Sequence, residues 1–532
     1  IAALKHLGLK VASLNSTLNY NEVTQIESDL TAGHLKLLYV SPEKLKTDRL
    51  LELLKQTKIS LFAIDEAHCI SQWGHDFRPE YTQLNELQDQ FPGVPRIALT
   101  ATADIATRKD IIKNLQLEQG SEFISSFDRP NIEYMVKSKD NEKKQLLNFI
   151  MDNHKEDNGI VYCLSRKKTE EIAAFLKDNG FNAHCYHAGM NDKDRAKVQR
   201  IFTTSDNVII VATIAFGMGV NKPDVRFVAH LDLPKSIESY YQETGRAGRD
   251  GLPANAFMVY GTKDIVQLRR FIDDSDAPGE QKRLEQRKLN ALIGYAETPT
   301  CRRKVLLEYF GEPLEQPCGN CDNCQNPPIK RDATQDMQKL LSCIYRASTD
   351  RFSFGAGHII NVLRGKMSDK MTSLGHDKLS TFNIGSDMPE TYWKALIREA
   401  VILHFTDIDD HGALRLTKSA YGFFKNPIPI SITEVAALKK DRAGKKKIRK
   451  GEVTLQEDAS PLFEKLKNLR RTLAEQENVP PYIIFSNQTL IEMANTKPAD
   501  LTAMSQISGV GSYKLQAYAG KFLEVILTAP AA

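Results

Sequence analysis

Leu61–Tyr81 reads LFAIDEAHCISQWGHDFRPEY: an apolar run, two adjacent carboxylates, and then Trp73, His75, Phe77, Arg78 and Tyr81 within a few positions. The run Ile59–Ile64 has the composition of a buried strand. The C-terminal end of a strand is where parallel α/β sheets bind their ligands. There Asp65 suits Mg²⁺, and Glu66 suits the polarisation of a water for attack on a γ-phosphate. Solvated carboxylates after a strand are also common, so this stretch alone leaves both readings open.

Outward from it, Leu35–Val40, Ile59–Ile64 and Arg96–Thr100 are short β-rich runs that alternate with amphipathic stretches such as Glu22–Leu30. A second series begins near Gly159 with IVYCL, NAHCYH, VIIVA, VRFVAHLDL and AFMVYG. Strands alternating with helices at this spacing predict two parallel βαβ lobes. SSFDRPNI (125–132) has the Asp and Pro of a connector between them. After Tyr260 the strands stop. A charged helical stretch, a cysteine cluster, a mostly helical segment ending in VILHFTDIDDHGALRLT, a basic linker and a last helical unit follow. The runs flanking Asp409–Gly412 predict a hairpin, and helices followed by such a ribbon describe a winged helix.

In the second lobe, YYQETGRAGRDG (240–251) sets Arg246 and Arg249 three residues apart. On a helix that spacing turns both guanidinium groups to one face. Two permanently charged forks suit a transferring phosphoryl group. Four cysteines, Cys301, Cys318, Cys321 and Cys324, follow the pattern C-x16-C-x2-C-x2-C. Four sulfur ligands suit tetrahedral zinc, with an iron–sulfur cluster as the alternative. Cys69, Cys163, Cys185 and Cys343 are scattered and read as ordinary buried thiols.

In chain order, DEAHCISQWGHDFRPEY, ALTATA (98–103), VYCLSR, HAGM, VATIAFGMGVNKPDVRFVAHLDLP and QETGRAGRDG resemble the motifs of superfamily 2 helicases, and in detail those of RecQ DNA helicases. The resemblance covers essentially the whole chain. It implies an α/β fold of two RecA-like parallel-sheet lobes, the first incomplete. A zinc-binding helical region, a winged helix and a C-terminal helical HRDC-like domain follow. The expected boundaries are 1–127, 128–272, 273–331, 332–425, a basic linker 426–458, and 459–532.

The resemblance also implies roles. Asp65 binds Mg²⁺, Glu66 is the general base, and His68 couples nucleotide state to DNA. Gln242, Arg246 and Arg249 sense the γ-phosphate from the opposite lobe, with Arg249 the first choice for an arginine finger and Gly219 beside the nucleotide. The cysteine cluster is a structural zinc site. Trp73, Phe77 and Tyr81 present rings for base stacking, with His75 and Arg78 near the backbone, a grip that tolerates any sequence. Phe77 and Tyr81 also fit an aromatic core patch. In GHDKLSTFNIGSD, His376 and Lys378 suit contacts with a duplex backbone. GVGSYK (509–514), with Lys514, is either a phosphate-facing turn or a plain helix connection.

The implied activity is ATP-dependent 3′–5′ unwinding of DNA in recombination and repair. The implied protein is a monomer in the cytoplasm, associated with the nucleoid, with single-stranded-DNA-binding protein as a candidate partner. A non-catalytic DNA-binding pseudo-helicase and an RNA-remodelling helicase are the alternatives.

Composition agrees with a multi-domain globular protein. The 532 residues are 41% hydrophobic and 26% charged, enough for roughly three to four domains. The longest nearly apolar run, VIIVATIAFGMGV, has 13 residues, short of the ~20 that a membrane-spanning helix needs. Net charge is only +4, yet KKDRAGKKKIRK (439–450) carries eight basic residues against Asp441 alone, either a solvated linker or a phosphate-tracking segment. No G-x-x-x-x-G-K-[ST] run occurs in the sequence. Because the chain opens on IAALKHLGLK, without Met and as if inside a helix, truncation of an N-terminal segment carrying that loop is the expectation. These 532 residues alone are then expected not to turn over ATP.

Overall fold

The computed structural model describes the chain apart from residues 1–3, 6–7, 16–17, 46, 72–73, 75–76, 218–219, 349–351, 410–411, 435–458, 478 and 529–532. Trp73, His75, Gly219 and the basic run 439–450 therefore lie outside the described residues.

The first lobe contributes two parallel strand pairs. β1 (Val11–Leu14) pairs with β2 (Leu37–Val40), and β3 (Phe62–Ile64) with β4 (Arg96–Ala98). Leu14, Leu30, Leu54, Ile64, Ile111 and Leu115 form the core beneath them. Side chains alternate across a strand, and here the alternate set Leu37, Tyr39, Ile97 and Leu99 is exposed. Parallel sheets are normally covered on both faces. One face of these pairs is left uncovered by the described residues.

The second lobe is a six-stranded, wholly parallel sheet. Its strands are β5 (Ile132–Ser138), β6 (Asn158–Tyr162), β7 (Asn182–Tyr186), β8 (Val208–Ala212), β9 (Val225–His230) and β10 (Ala254–Tyr260), in the order β5-β10-β9-β6-β8-β7. Alternation feeds two cores. Ile160, Ile210 and Val228 face one side, with Phe216 and Tyr240, whereas Val161, Ile209 and Phe227 face the other, with Leu146 and Leu176. A Cβ on Gly159 would fall 2.0 Å from the Phe227 ring, so close packing across the central strands requires glycine there.

Edge strand β5 is capped by the cysteine region: Val136 N donates to Asp322 Oδ2 at 2.8 Å, and Gln325 Nε2 to Glu133 Oε1 at 3.1 Å. An edge strand otherwise presents unpaired backbone groups to any passing chain. The long helix Gly279–Glu297 sends Leu289, Leu292, Ile293 and Tyr295 into the second-lobe core. This region is thus packed as an extension of that lobe.

The next module has its own core around the fully buried Trp393, with Leu340, Ile344, Ile360 and Leu396. β11 (Ile329–Asp332) pairs antiparallel with β15 (Ser431–Glu434). The expected ribbon is present: β12 (Phe354–Gly355), β13 (Thr406–Ile408) and β14 (Ala413–Leu416) form an antiparallel sheet in the order β12-β14-β13. Its turn is closed by Ala413 N donating to Asp409 Oδ1 at 2.9 Å. Arg269 and Arg270 of the helix Thr262–Asp273 donate to Val401 O and Ile408 O, tying the ribbon to the rest of the chain.

A last helical unit packs Leu466, Phe485, Leu490 and Phe522 into a separate core. Its buried Arg470 stands in the field of Asp224, Asp206 and Asp250 of the second lobe, and a Cβ on Gly251 of that lobe would lie 3.6 Å from Gln488 Oε1 of the unit. Among the described residues no helix is long and apolar enough to cross a membrane.

Candidate functional site

β3 ends at Ile64, and the next two residues are the paired carboxylates. Asp65 is exposed, and its Oδ1 accepts from Glu66 N at 2.9 Å. Glu66 is half-buried and takes a left-handed backbone, φ 50° and ψ 39°, before the short 3₁₀ turn Ala67–Ile70. A non-glycine residue in this region costs on the order of 1–3 kcal/mol, and such strain clusters at active sites. His68 is 1% exposed. Its Nδ1 lies 3.0 Å from Thr100 Oγ1 and 3.4 Å from Glu66 Oε2. Thr100 belongs to the ALTATA stretch, so one buried imidazole joins the two first-lobe motifs.

The loop that follows is anchored at both ends. Ser71 Oγ donates to Asp110 Oδ2 at 2.6 Å, and Arg78 N to Cys69 O at 2.9 Å. Phe77, Arg78 and Tyr81 are all half-buried. Burial pushes the Tyr81 hydroxyl up to about 12.

In the second lobe the helix Ile237–Thr244 stops at Gly245, before both arginines. The one-face-of-a-helix expectation is therefore corrected: Arg246 and Arg249 sit on a tight turn whose Gly248 has φ +56°. Gln242, on the last helical turn, is half-buried. Arg246 is 8% exposed and donates to Gly217 O at 2.6 Å, while Arg249 is exposed and reaches Asn221 Oδ1 at 3.2 Å. Partial covering of the guanidinium, then the charges of Arg246 and Arg129, pull Arg249 below the usual arginine range. Three cations standing this close favour an anion among them. Asp65 accepts from Glu66 N, and the Glu66 carboxylate pairs with His68, all within the first lobe; Arg246 and Arg249 bond within the second.

The cysteine expectation is met by geometry. One sulfur each from Cys301, Cys318, Cys321 and Cys324 lies within 4.8 Å of the others, and three of the four residues are buried. Zn–S bonds of about 2.3 Å in a tetrahedron separate sulfurs by about 3.8 Å, and Cys318 Sγ lies 3.9 Å from Cys324 Sγ. Backbone N–H groups already point at the sulfurs: Arg302 N at Cys321, Cys318 N at Cys301 and Asn320 N at Cys318, at 3.3–3.4 Å. These donors favour thiolate, and a hydrogen bond from Cys318 holds the Cys321 thiol well below its ordinary range. The donor set fits structural zinc.

The remaining expected residues are scattered. His376 is in the interior, 7% exposed, with Nδ1 2.8 Å from His358 Nε2, whereas Lys378 two residues on is exposed. Lys514 is half-buried with its ammonium 5.7 Å from the Phe485 ring centre. The sequence reading missed a half-buried charge network near the C-terminal ends of β5, β6 and β9. There Lys139 meets Asp264 at 2.8 Å and Asp232 at 2.9 Å, and Lys168 meets Asp232 and Glu142 at 2.7 Å. Apart from Lys139 and Glu142, the members are far apart in sequence; only the repeated return of strands to one edge could have pointed to their meeting.

Comparison with known proteins places these parts. Residues 2–111 match the DEAD/DEAH box helicase model, 141–251 the helicase conserved C-terminal domain, 262–325 the RecQ zinc-binding model, 327–441 the RQC domain and 460–526 the HRDC domain. ATP-dependent DNA helicase RecQ of Haemophilus influenzae is 45% identical over 98% of this chain and 83% of its own length. That of Pasteurella multocida is 44% identical over 98% and 81%. That of Bacillus subtilis is 34% identical over 99% and 86%. With every module matched in order and this identity over nearly its whole length, the chain belongs to the RecQ family of ATP-dependent DNA helicases.

Proposed function

We propose that this chain is the body of a 3′–5′ DNA helicase of recombination and repair, acting as a monomer on nucleoid DNA, with single-stranded-DNA-binding protein as a candidate partner. In this reading Asp65 holds Mg²⁺, which neutralises the phosphates of bound ATP, and Glu66 accepts a proton from the attacking water. Gln242, Arg246 and Arg249 meet the γ-phosphate from the second lobe, with Gly219 beside it. Permanently charged forks there stabilise the charge that develops on transfer. The observation that carries the reading is the contact chain Glu66–His68–Thr100. It ties the proposed base through a buried imidazole to a second motif, so a shift in one is felt by the other.

DNA contacts fall to Trp73, Phe77 and Arg78 in the loop that continues from the carboxylates, to the exposed Lys378 and to Lys514. His376 would act from the interior, through His358 and the fold of the winged module. Closure and opening of the cleft on each hydrolysis cycle would step the strand along.

The nucleotide loop pattern does not occur in these 532 residues, and the uncovered face of the first-lobe strands suits a lobe that lacks a further layer. A polypeptide of residues 1–532 should therefore bind a forked DNA at low salt, losing affinity as salt rises, and show no DNA-stimulated ATP hydrolysis above background. Robust hydrolysis by that polypeptide, abolished by Glu66→Gln, would show that its nucleotide site is built differently.

A further inference from the structure

Arg129 belongs to the connector between the lobes, three residues before β5, yet its side chain is spent on the turn that carries Arg246 and Arg249. Its Nη1 donates to Gly245 O at 3.2 Å, and its Nη2 to Ala247 O at 2.9 Å and Gly248 O at 3.0 Å. Asn131 assists from the same connector, donating to Gly248 O at 2.8 Å and Leu252 O at 2.9 Å. The fit leaves no slack: Gly248 is left-handed, and a Cβ on it would lie 2.4 Å from Asn131 Nδ2.

The connector is in turn gripped by the zinc region. Arg303, 2% exposed, donates to Arg129 O at 3.2 Å and Ile132 O at 2.6 Å, and Glu312 accepts from Phe127 N at 2.6 Å. The turn that bears both arginines is thus held by side chains from the segment that joins the two lobes.

A neutral amide such as that of Asn131 satisfies carbonyls without adding charge. A third guanidinium beside Arg246 and Arg249 raises the local repulsion, a cost offset only when an anion arrives. A forked donor also spans three convergent carbonyls, which a single ammonium head does not. We propose that Arg129 is a positioning residue for ATP hydrolysis, setting the turn so that Arg246 and Arg249 face the phosphates and linking that setting to the connector between the lobes. This rests on the reading of Arg246 and Arg249 as phosphate-facing residues.

The test compares Arg129→Gln, Arg249→Gln and the double variant in the full-length protein, with zinc content and thermal midpoint measured on each. Misplacing catalytic groups by about 1 Å costs on the order of a hundredfold in rate. Arg129→Gln is accordingly expected to lower the kcat of DNA-stimulated hydrolysis about 10- to 100-fold, with the KM for ATP and the zinc content little changed. Because it acts through Arg246 and Arg249, the double variant should be slower than Arg249→Gln alone by much less than the loss Arg129→Gln causes by itself.

If Arg249→Gln leaves turnover intact, the phosphate-facing reading and this proposal fall together. If Arg249→Gln is slow but Arg129→Gln is not, or the two losses multiply, only the positioning role falls. Should Arg129→Gln fail to fold, Arg129→Lys carries the test, since it keeps the charge but not the fork. It should show the same pattern with a smaller loss, and wild-type turnover in it would overturn the proposal.

Discussion

Replacing Cys321 by serine should remove the metal and loosen a strand in a different part of the chain. Cys321 is fully buried, its sulfur accepts from Arg302 N, and the next residue, Asp322, holds both Arg302 and the edge amide Val136 N. A serine hydroxyl is not ionised at neutral pH and does not replace the thiolate. Structural zinc is worth roughly 10–16 kcal/mol in isolated zinc peptides, and that binding energy is folding energy. Without it, residues 318–325 lose the constraint that aims Asp322 at β5. A hydrogen bond to a charged group contributes about 1.5–3 kcal/mol, so exchange of the Val136 amide should accelerate about 10- to 150-fold. The assay is elemental analysis together with site-resolved hydrogen exchange, with the fully buried β8 as internal reference. Retention of one zinc per chain, or zinc loss with unchanged exchange at Val136, would refute the account of the cluster as a staple on the edge strand. Iron and sulfide in place of zinc would refute the metal assignment.

Two further outcomes follow from burial in the winged module. Burial, and then the charge of Glu297, push the Glu399 carboxyl up to about 7 against the pull of Arg398. The fold therefore holds that proton more tightly than the unfolded chain, a contribution complete below about pH 4.3 and lost as pH rises through 7. Glu399→Gln should gain about 1–3 kcal/mol at pH 8 and much less at pH 5; an equal gain at both in thermal melts would show that Glu399 does not titrate this way. Gly385→Ala should destabilise the module by about 1–3 kcal/mol, because its Cβ would lie 2.3 Å from the Trp393 ring. A denaturation midpoint and Trp393 emission unchanged from wild type would contradict that packing.

What the sequence disclosed and what it hid follow physical lines. β6, β8, β9 and β10 are buried on both faces, and their apolar runs are plain in the sequence. β5 escaped notice because it is an edge strand whose alternate positions include Glu133 and Lys137. The carboxylate pair, the arginines and the cysteines were legible because their chemistry is carried by side-chain type and spacing. The helical phase expected for Arg246 and Arg249 failed because the helix ends at Gly245 and the chain then turns left-handed at Gly248. His376 was read as a surface residue, but its partner is another imidazole 18 positions away. Arg129 gave no signal, since its partners are main-chain carbonyls more than 100 residues distant. Such partners leave no pattern in side-chain identity.

The measurement that bears most directly on the central claim is unwinding of matched DNA and RNA forks by the full-length protein, in the presence of ATP and Mg²⁺, beside its Glu66→Gln variant. A DNA duplex with a 3′ tail should be opened, the RNA fork and a 5′-tailed DNA should not, and Glu66→Gln should still bind the DNA fork but leave it closed. Preferential opening of the RNA fork, or DNA unwinding that survives Glu66→Gln, would contradict that claim.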